Sequence, residues 1–322
     1  MLAFLSLIRL PNLLIIAFTQ YMIRICLIEP ILHLAGFRLQ MNDFSFFLLV
    51  LSTVFIAAGG FVINDYFDIH IDAINKPKHL VIDKKIKRRV AISAHAVLSF
   101  LGVAIGIFLS YKSNILLSGG AIFSLTVIGL WFYSTSFKYQ LLIGNIIISL
   151  FTAIIPLLVV LYEFPLMIRK YNNQLFREMS EMGTTTKDTI LLWVGAFALA
   201  AFVLSMIREI IKDIEDYEGD KEYGCRTAPV VFGIKKVKVF VSLLIVFAIT
   251  GIGYVQFKQY TSQDKISFFY FLAGISLPLL FLLFRTLTAK EKKHFHFASV
   301  LTKIIMLTGL CYLFLFRYLV MQ

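Results

Sequence analysis

Ser45–Asp72 reads S-F-F-L-L-V-L-S-T-V-F-I-A-A-G-G-F-V-I-N-D-Y-F-D-I-H-I-D. From Ser45 to Ile63 no side chain is charged, and the run is continuous rather than alternating. A hydrocarbon core takes about 20 apolar residues as a helix, so this stretch predicts a membrane-crossing helix. Its end then changes character, with Asn64, Asp65, Asp68 and Asp72 following in quick succession. On one continuous helix these four side chains would fall within a sector of about 100° and span ~12 Å of axis. Carboxylates that crowded raise one another's pKa unless a cation sits between them. Oxygen-only ligands on one face suit Mg²⁺, which favours a few carboxylates, waters and a substrate phosphate. Taken singly, the same pattern also describes a solvated, charged helix end.

A second copy argues against solvation. Arg208–Gly224 reads R-E-I-I-K-D-I-E-D-Y-E-G-D-K-E-Y-G, and Asp213, Asp216 and Asp220 repeat the spacing of Asp65, Asp68 and Asp72. Lys212 stands where Asn64 stands in the first copy, with Glu209 one turn earlier on the same face. Each copy ends an apolar run and leads into a basic loop containing Gly or Pro. The paired clusters form the expected site.

Composition supports the membrane reading. Of 322 residues, 59% are hydrophobic and only 16% are charged, too apolar for a soluble domain. The net charge of +12 resides in loops between apolar spans, where it sets topology and meets anionic lipid, so no nucleic-acid partner is expected. Cys26, Cys225 and Cys311 share no metal-ligand spacing and read as packing residues. Arg9-Leu10-Pro11-Asn12 opens straight into the first span, and no signal peptide is expected. No P-loop, no dinucleotide fingerprint and no Ser-His-Asp set is present.

Apolar runs fall at roughly 12–35, 45–67, 90–111, 114–136, 141–163, 189–211, 236–257, 266–288 and 297–320. The expected fold is therefore an all-α polytopic membrane bundle of nine transmembrane helices, forming a single domain over residues 1–322. Most of the 31 Lys and Arg lie on the side of the loops 68–89, 137–140, 212–235 and 286–296. The positive-inside rule thus places both acidic clusters on the cytoplasmic face, with the C-terminus outside; the membrane itself is expected to be a prokaryotic plasma membrane.

Individual features refine this picture. Ala57-Ala58-Gly59-Gly60 predicts close helix packing just before the first cluster. Lys76 and Lys78 stand nearest the Asp residues and suit a phosphate, whereas the more distant loop lysines, such as Lys87, serve topology. Arg24, amid apolar residues of the first span, either faces the bundle interior or snorkels to the interface. Trp131, Tyr133 and Tyr139 fit an interfacial belt, with Lys138 at the level of the clusters. Pro156 predicts a kink. Residues 164–188 are expected outside, in part as an amphipathic surface helix.

N-D-x-x-D-x-x-x-D at Asn64–Asp72 followed by I-N-K-P, with D-I-E-D-x-x-G-D at Asp213–Asp220, resembles the UbiA superfamily of intramembrane prenyltransferases. Smaller matches are Arg9-x-Pro11-Asn12, Tyr133-Ser134 with Lys138, Gly144-Asn145, and Thr227-Ala228-Pro229. The resemblance implies a bundle around a central cavity that opens sideways to lipid. It implies Mg²⁺ held by Asp65, Asp68, Asp72, Asp213, Asp216 and Asp220, binding the diphosphate of an isoprenyl donor. Catalytic roles then fall to Asp68, Asp72, Asp216 and Lys138. Substrate binding falls to Asn64, Lys76, Lys78, Tyr133, Lys138, Lys212 and Arg24.

Lys212 within its motif is most similar to the (di)geranylgeranylglyceryl phosphate synthase-type branch, whose acceptor is a glycerol-phosphate lipid. That branch continues N-R-P-x-R-P-I-P-S-G after the first motif, whereas this chain reads Asn75-Lys76-Pro77-Lys78-His79-Leu80-Val81-Ile82-Asp83-Lys84. An aromatic acceptor of quinone or chlorophyll type therefore stays open. Lys212 itself either serves a phosphate or balances the acidic residues of its own helix. The rival from another class is a cation-coupled transporter, but such proteins set their carboxylates near the bilayer midplane on broken helices. A catalytically silent relative acting as a binding protein is the third reading.

Overall fold

A computed structural model of the chain describes residues 2–75, 80–171 and 185–322. Among the described residues nine helices are long and apolar enough to cross a membrane. They are Leu10–Leu34, Asp43–Phe67, Arg88–Lys112, Leu116–Thr135, Ile143–Tyr171, Thr186–Glu215, Ile234–Thr261, Lys265–Thr288 and Lys292–Val320. The chain is thus an all-α, multi-pass membrane protein, with the spans where the apolar runs predict them to within a few residues, except around the fifth and sixth.

There the expected outside segment, 164–188, is shorter at both ends, and most of its expected surface helix falls outside the described residues. Residues 164–171 continue the fifth span, which runs unbroken to Tyr171, and Thr186 opens the sixth. Residues 172–184 lie outside the described residues. Pro156 and Pro165 both sit inside the fifth helix without interrupting it. Two other prolines do disturb their helices. The first span changes to a π turn over Ile23–Ile28 just before Pro30, and the eighth does so over Leu272–Ser276 just before Pro278. A proline ring collides with the carbonyl four residues back and donates no bond to it, and a wider turn accommodates both effects.

The chain divides into two compact units. One comprises residues 1–136 and 154–198, the other 137–153 and 199–322. In the first, the second, third and fourth spans pack closely because small residues let their backbones approach. A Cβ at Gly59 would lie 2.7 Å from Ser99 Oγ of the third span, and one at Gly60 would lie 2.8 Å from Leu130 Cδ1 of the fourth. Lipid tails are as apolar as leucine, so this packing and interhelical hydrogen bonds hold the spans together. His95 Nδ1 lies 2.9 Å from the Gly59 carbonyl oxygen, and Ser52 Oγ donates to the Gly102 carbonyl at 2.6 Å.

In the second unit, aromatic and hydroxyl contacts join the eighth and ninth spans. Phe271 meets Tyr312 edge-on with ring centroids 4.6 Å apart, and Tyr270 donates to the Thr308 carbonyl at 2.8 Å. Lys238 of the seventh span donates to the carbonyls of Leu287 and Ala289, both at 2.8 Å. A cation there satisfies orphan carbonyls at the end of the eighth span and matches its dipole.

Candidate active site

The second span ends at Phe67 rather than running on through the motif. Asp68 adopts φ −87° and ψ 0°, and a short helix, Ile69–Asn75, follows. The junction is a one-residue kink, because the Asp68 amide still reaches the Asn64 carbonyl at 3.0 Å and the Asp72 amide reaches Asp68 at 2.8 Å. The expected single-helix sector is therefore interrupted at its middle residue. The sixth span behaves alike. It ends at Glu215, Asp216 adopts φ −95° and ψ 9°, and Tyr217–Glu222 forms a short helix. The Asp216 amide bonds Lys212 at 2.9 Å, and the Asp220 amide bonds Asp216 at 3.1 Å. A D-x2-D-x3-D repeat in sequence is thus a repeat of backbone geometry, with the middle aspartate at ψ near zero each time. Other helices of the chain end in the same conformation, at Ser113 (φ −87°, ψ 1°) and Ser262 (φ −84°, ψ 4°), so what marks the two motifs is the aspartate at that position and the helix that resumes at once.

Each motif has its own support. Beneath the first lies an apolar cluster of Leu7, Val62, Ile69, Ile82 and Ala91, with Ile8, Tyr66, Leu80, Val81 and Ile86 packed against it. This cluster fixes the kinked segment against the N-terminal helix and the loop after the motif. Arg9, in the left-handed region at φ 52°, donates from Nη2 to Asp65 Oδ1 at 2.6 Å. Its guanidinium also stands 5.1 Å from the centre of the Phe61 ring. Asn64 Nδ2 donates to Asp68 Oδ2 at 2.9 Å.

In the second motif, Asn145 Nδ2 donates to Asp213 Oδ2 at 2.8 Å, and Thr227 Oγ1 donates to Asp220 Oδ2 at 3.1 Å. Both donors are buried. Asp213 also interacts electrostatically with Asp220, Glu209 and Lys212. Lys138 sits in the one-turn helix Phe137–Tyr139, its ammonium 5.1 Å from the Tyr139 ring centre. The Arg226 amide donates to the Tyr139 carbonyl at 2.8 Å, tying that turn to the segment just after Asp220.

Other expected residues are placed differently. Lys212 Nζ lies 3.7 Å from Glu209 Oε2 on its own helix, and Glu209 also accepts from Arg208. Arg24 is corrected outright: it lies by the start of the second span, whose far end carries the acidic motif. Arg24 is 5% exposed, donates to Asp43 Oδ1 at 2.9 Å and to the Met41 carbonyl, and stacks 4.4 Å from the Phe46 ring centre. The 22 residues from Asp43 to Asp65 amount to ~33 Å of helix, so Arg24 is far from the donor end of this unit. Tyr133 is half-buried near the end of the fourth span. Lys76 and Lys78 lie outside the described residues.

Arg9, Asn145 and Thr227 were not among the expected site residues, although each belongs to one of the smaller motif matches. Their signal lay in position beside a motif, not in residue type. Among the described residues no three acidic, His or Cys side chains form a ready-made metal cage. The kinks at Asp68 and Asp216 distribute each triplet along two helical pieces. What each motif offers is carboxylate oxygen, with Asn, Thr or Arg donors orienting the carboxylates. That donor set fits a hard divalent cation that completes its shell with water and phosphate oxygens.

Several known proteins are similar to this chain. A digeranylgeranylglyceryl phosphate synthase from Pyrococcus horikoshii is 33% identical over 196 residues, covering 61% of this chain. This match takes in only 60% of that relative's length. One from Korarchaeum cryptofilum is 29% identical over 264 residues, covering 78% of each chain. A solved structure of a digeranylgeranylglyceryl phosphate synthase superposes with a TM-score of 0.61 at 25% identity, covering 98% of this chain and 97% of that one. A UbiA homolog from Archaeoglobus fulgidus, solved with DMAPP and Mg²⁺, shares the fold at a TM-score of 0.52 and 18% identity, covering 96% of this chain and 98% of its own. The family model of the UbiA prenyltransferases matches residues 34–316. That match decides for prenyl transfer over transport: the chain belongs to the UbiA prenyltransferase family and is an intramembrane prenyltransferase.

Proposed function

We propose that this chain transfers a prenyl group from an isoprenyl diphosphate to the free hydroxyl of a glycerol-phosphate lipid, and that it depends on Mg²⁺. The observation that carries this reading is the repeated junction: Asp68 and Asp216 take the same backbone conformation, each followed one turn later by another aspartate. The names of the relatives support the acceptor, and the A. fulgidus homolog, which holds DMAPP with Mg²⁺, supports the donor and the metal.

Asp65, Asp68, Asp72, Asp213, Asp216 and Asp220 would hold the metal, and both motifs would serve one donor diphosphate within a single functional domain. Bound Mg²⁺ supplies charge neutralisation to the leaving diphosphate. The chain's own residues do the rest. Asn64, Asn145 and Thr227 hold the carboxylates in place by donating to them. Lys138, Lys212, Lys76 and Lys78 would meet phosphate oxygens as cations and orient the donor's C1 toward the acceptor. Tyr133 would line the donor's path, and apolar, aromatic-rich walls of the central cavity would keep water from the electron-poor C1 as its bond to the diphosphate breaks. The acceptor oxygen then bonds C1, the diphosphate departs with the electron pair of the broken C–O bond, and the hydroxyl proton passes to the departing diphosphate.

We also assign both motifs to the cytoplasmic face, on the strength of the lysine-rich loops around them, and the membrane to a prokaryotic plasma membrane, on the archaeal source of the relatives. A second acceptor class has one observation in its favour. The sequence after Pro77 lacks the Pro-Ser-Gly turn of the glycerol-phosphate branch, which keeps an aromatic acceptor in play.

The test is to offer purified protein labelled geranylgeranyl diphosphate and Mg²⁺, with either a geranylgeranylglyceryl phosphate or a hydroxylated aromatic acid. Prenylation of the glycerol-phosphate lipid is expected, and its loss in EDTA. Prenylation of the aromatic compound alone would replace the acceptor assignment. Turnover that survives EDTA would remove the metal.

A further inference from the structure

The end of the second span remote from Asp65–Asp72 holds a cavity that prenyl transfer leaves unused. Its volume is about 290 Å³, and its lining includes Asn42, Ser45, Leu109, Lys112, Leu166 and Arg169. These residues come from the start of the second span and the ends of the third and fifth, all within one compact unit. The 20 residues from Ser45 to Asp65 span ~30 Å of helix, the thickness of a hydrocarbon core. The cavity therefore opens at the membrane face opposite the first acidic motif.

Its charge is unbalanced in one direction. Of the carboxylates nearby, Asp43 accepts from Arg24 at 2.9 Å, and Glu163, held behind the wall by the amides of Gln40 and Met41, the latter at 3.1 Å, offsets one of the two lining cations. Among the described residues the lining carries Lys112 and Arg169 and no acid. Lys112 and Arg169 are both exposed at the cavity rim, and Lys112 Nζ donates to Ser45 Oγ at 2.8 Å, which anchors the ammonium there. Asn42 caps the second span by accepting from the Ser45 amide at 2.7 Å, and the positive end of that helix dipole adds to the field. Leu109 and Leu166, one turn before Lys112 and Arg169 on the same two helices, add apolar lining on the bilayer side of the cations. Two cations with a hydroxyl and an amide at the membrane face, and leucines one turn deeper on the same helices, match a phosphate attached to a glycerol and its chains. The volume lies at the lower limit for small-molecule sites, about 300 Å³, so a head group fits and a whole lipid does not.

We propose that this cavity binds the phosphate head group of an anionic membrane lipid, at the face opposite Asp65–Asp72. The proposal does not depend on the acceptor or on turnover.

The full-length protein in detergent should be titrated with dioleoylphosphatidylglycerol, dioleoylphosphatidylcholine or inorganic phosphate, reading bound lipid by native mass spectrometry and Tm by thermal unfolding. Phosphatidylglycerol is expected to be retained and to raise Tm, phosphatidylcholine to do so several-fold less, and millimolar phosphate to leave Tm unchanged. Lys112→Gln with Arg169→Gln should cut phosphatidylglycerol occupancy at least about fivefold. The control pair Lys258→Gln with Lys265→Gln removes the same charge from exposed positions elsewhere and should not. Should the double variant fail to fold, Leu166→Trp decides, since it fills the cavity without altering charge and is expected to displace the lipid equally. Equal retention of the two lipids, or undiminished retention in both cavity variants, would overturn the proposal. A phosphate-induced rise in Tm equal to that from phosphatidylglycerol would reassign the site to free phosphate and overturn the lipid.

Discussion

Arg9 reaches Asp65 across 2.6 Å, joining the residue that opens the first span to the first carboxylate of the first motif. The pair is partly exposed, so the guanidinium can also face a phosphate. The exposed ion pair itself is worth only ~0.2–1 kcal/mol, but a guanidinium donating to a substrate phosphate that excludes water is worth about 1.5–3 kcal/mol. Arg9→Gln is therefore expected to lower kcat/KM for the isoprenyl diphosphate by about 10- to 150-fold. Arg9→Lys should recover only part, since a lysine cannot make the planar, forked contact. Steady-state prenyl transfer measures both, and wild-type kinetics in Arg9→Gln would reduce this pair to packing.

The repeated junction makes Asp68 and Asp216 equivalent. Asp68→Ala or Asp216→Ala is expected to abolish transfer with Tm within a few degrees of wild type, because each carboxylate lies at a helix junction and not in the apolar core. Loss of activity with intact folding, read by radiolabelled product and thermal unfolding together, is the expected pattern. Substantial turnover in either variant would count decisively against a two-motif metal site.

Much of this was legible in the sequence, and the limits have physical causes. The spans could be read because a bilayer demands long, continuous apolar runs, and the acidic repeat because few residue patterns place carboxylates at such depth twice. The kinks at Asp68 and Asp216 could not, since an aspartate near ψ zero costs little and leaves no mark on the periodicity. Arg24 illustrates a different limit. A buried charge in a span signals a polar partner without saying which end of the bundle supplies it, and the partner is Asp43. Arg9, Asn145 and Thr227 were visible as motif neighbours, but their hydrogen bonds to Asp65, Asp213 and Asp220 arise from tertiary contact.

The placement of Arg24 gives a separable phenotype. Arg24 is nearly buried while the Asp43 side chain is 99% exposed, so removing the arginine leaves a carboxylate that water can solvate. The cost is then that of the lost charged hydrogen bonds, about 1.5–3 kcal/mol, rather than that of stranding a buried ion. Arg24→Met is expected to lower Tm by several degrees while leaving the donor KM within about twofold. A rise in donor KM of tenfold or more without loss of stability would return Arg24 to the substrate site.

Lys212 divides two readings by its partner. At 3.7 Å from Glu209, which also receives Arg208, its ammonium is only loosely held. A helix pair at this spacing contributes only ~0.2–0.5 kcal/mol. Lys212→Met should therefore barely move Tm. If the lysine meets a substrate phosphate, kcat/KM should fall about tenfold or more, and Glu209→Gln should not reproduce the fall. If Lys212→Met and Glu209→Gln give the same small effect, Lys212 is a structural residue.

Gly144 tests whether Lys138 acts through its position. A Cβ on Gly144 would stand 2.8 Å from Lys138 Cα and 3.0 Å from the Phe137 carbonyl oxygen. Both are backbone atoms, which cannot swing aside as a side-chain tip can. Gly144→Ala must therefore displace either the Phe137–Tyr139 turn or the start of the fifth span, where neighbouring Asn145 donates to Asp213. Lys138→Ala alone is expected to lower kcat/KM for the donor by about 10- to 150-fold, the worth of one charged hydrogen bond, whereas Lys87→Ala should change it less than twofold. Gly144→Ala should cause a comparable loss with every proposed catalytic side chain still present. If it does so by moving Lys138, the double variant Gly144→Ala with Lys138→Ala should be no worse than the more impaired single one, because residues acting through one contact are not additive. If the losses instead multiply, the glycine acts through Asn145 and Asp213. A Gly144→Ala variant with full activity would show that the turn yields without moving the lysine, and close packing there would then carry no catalytic weight.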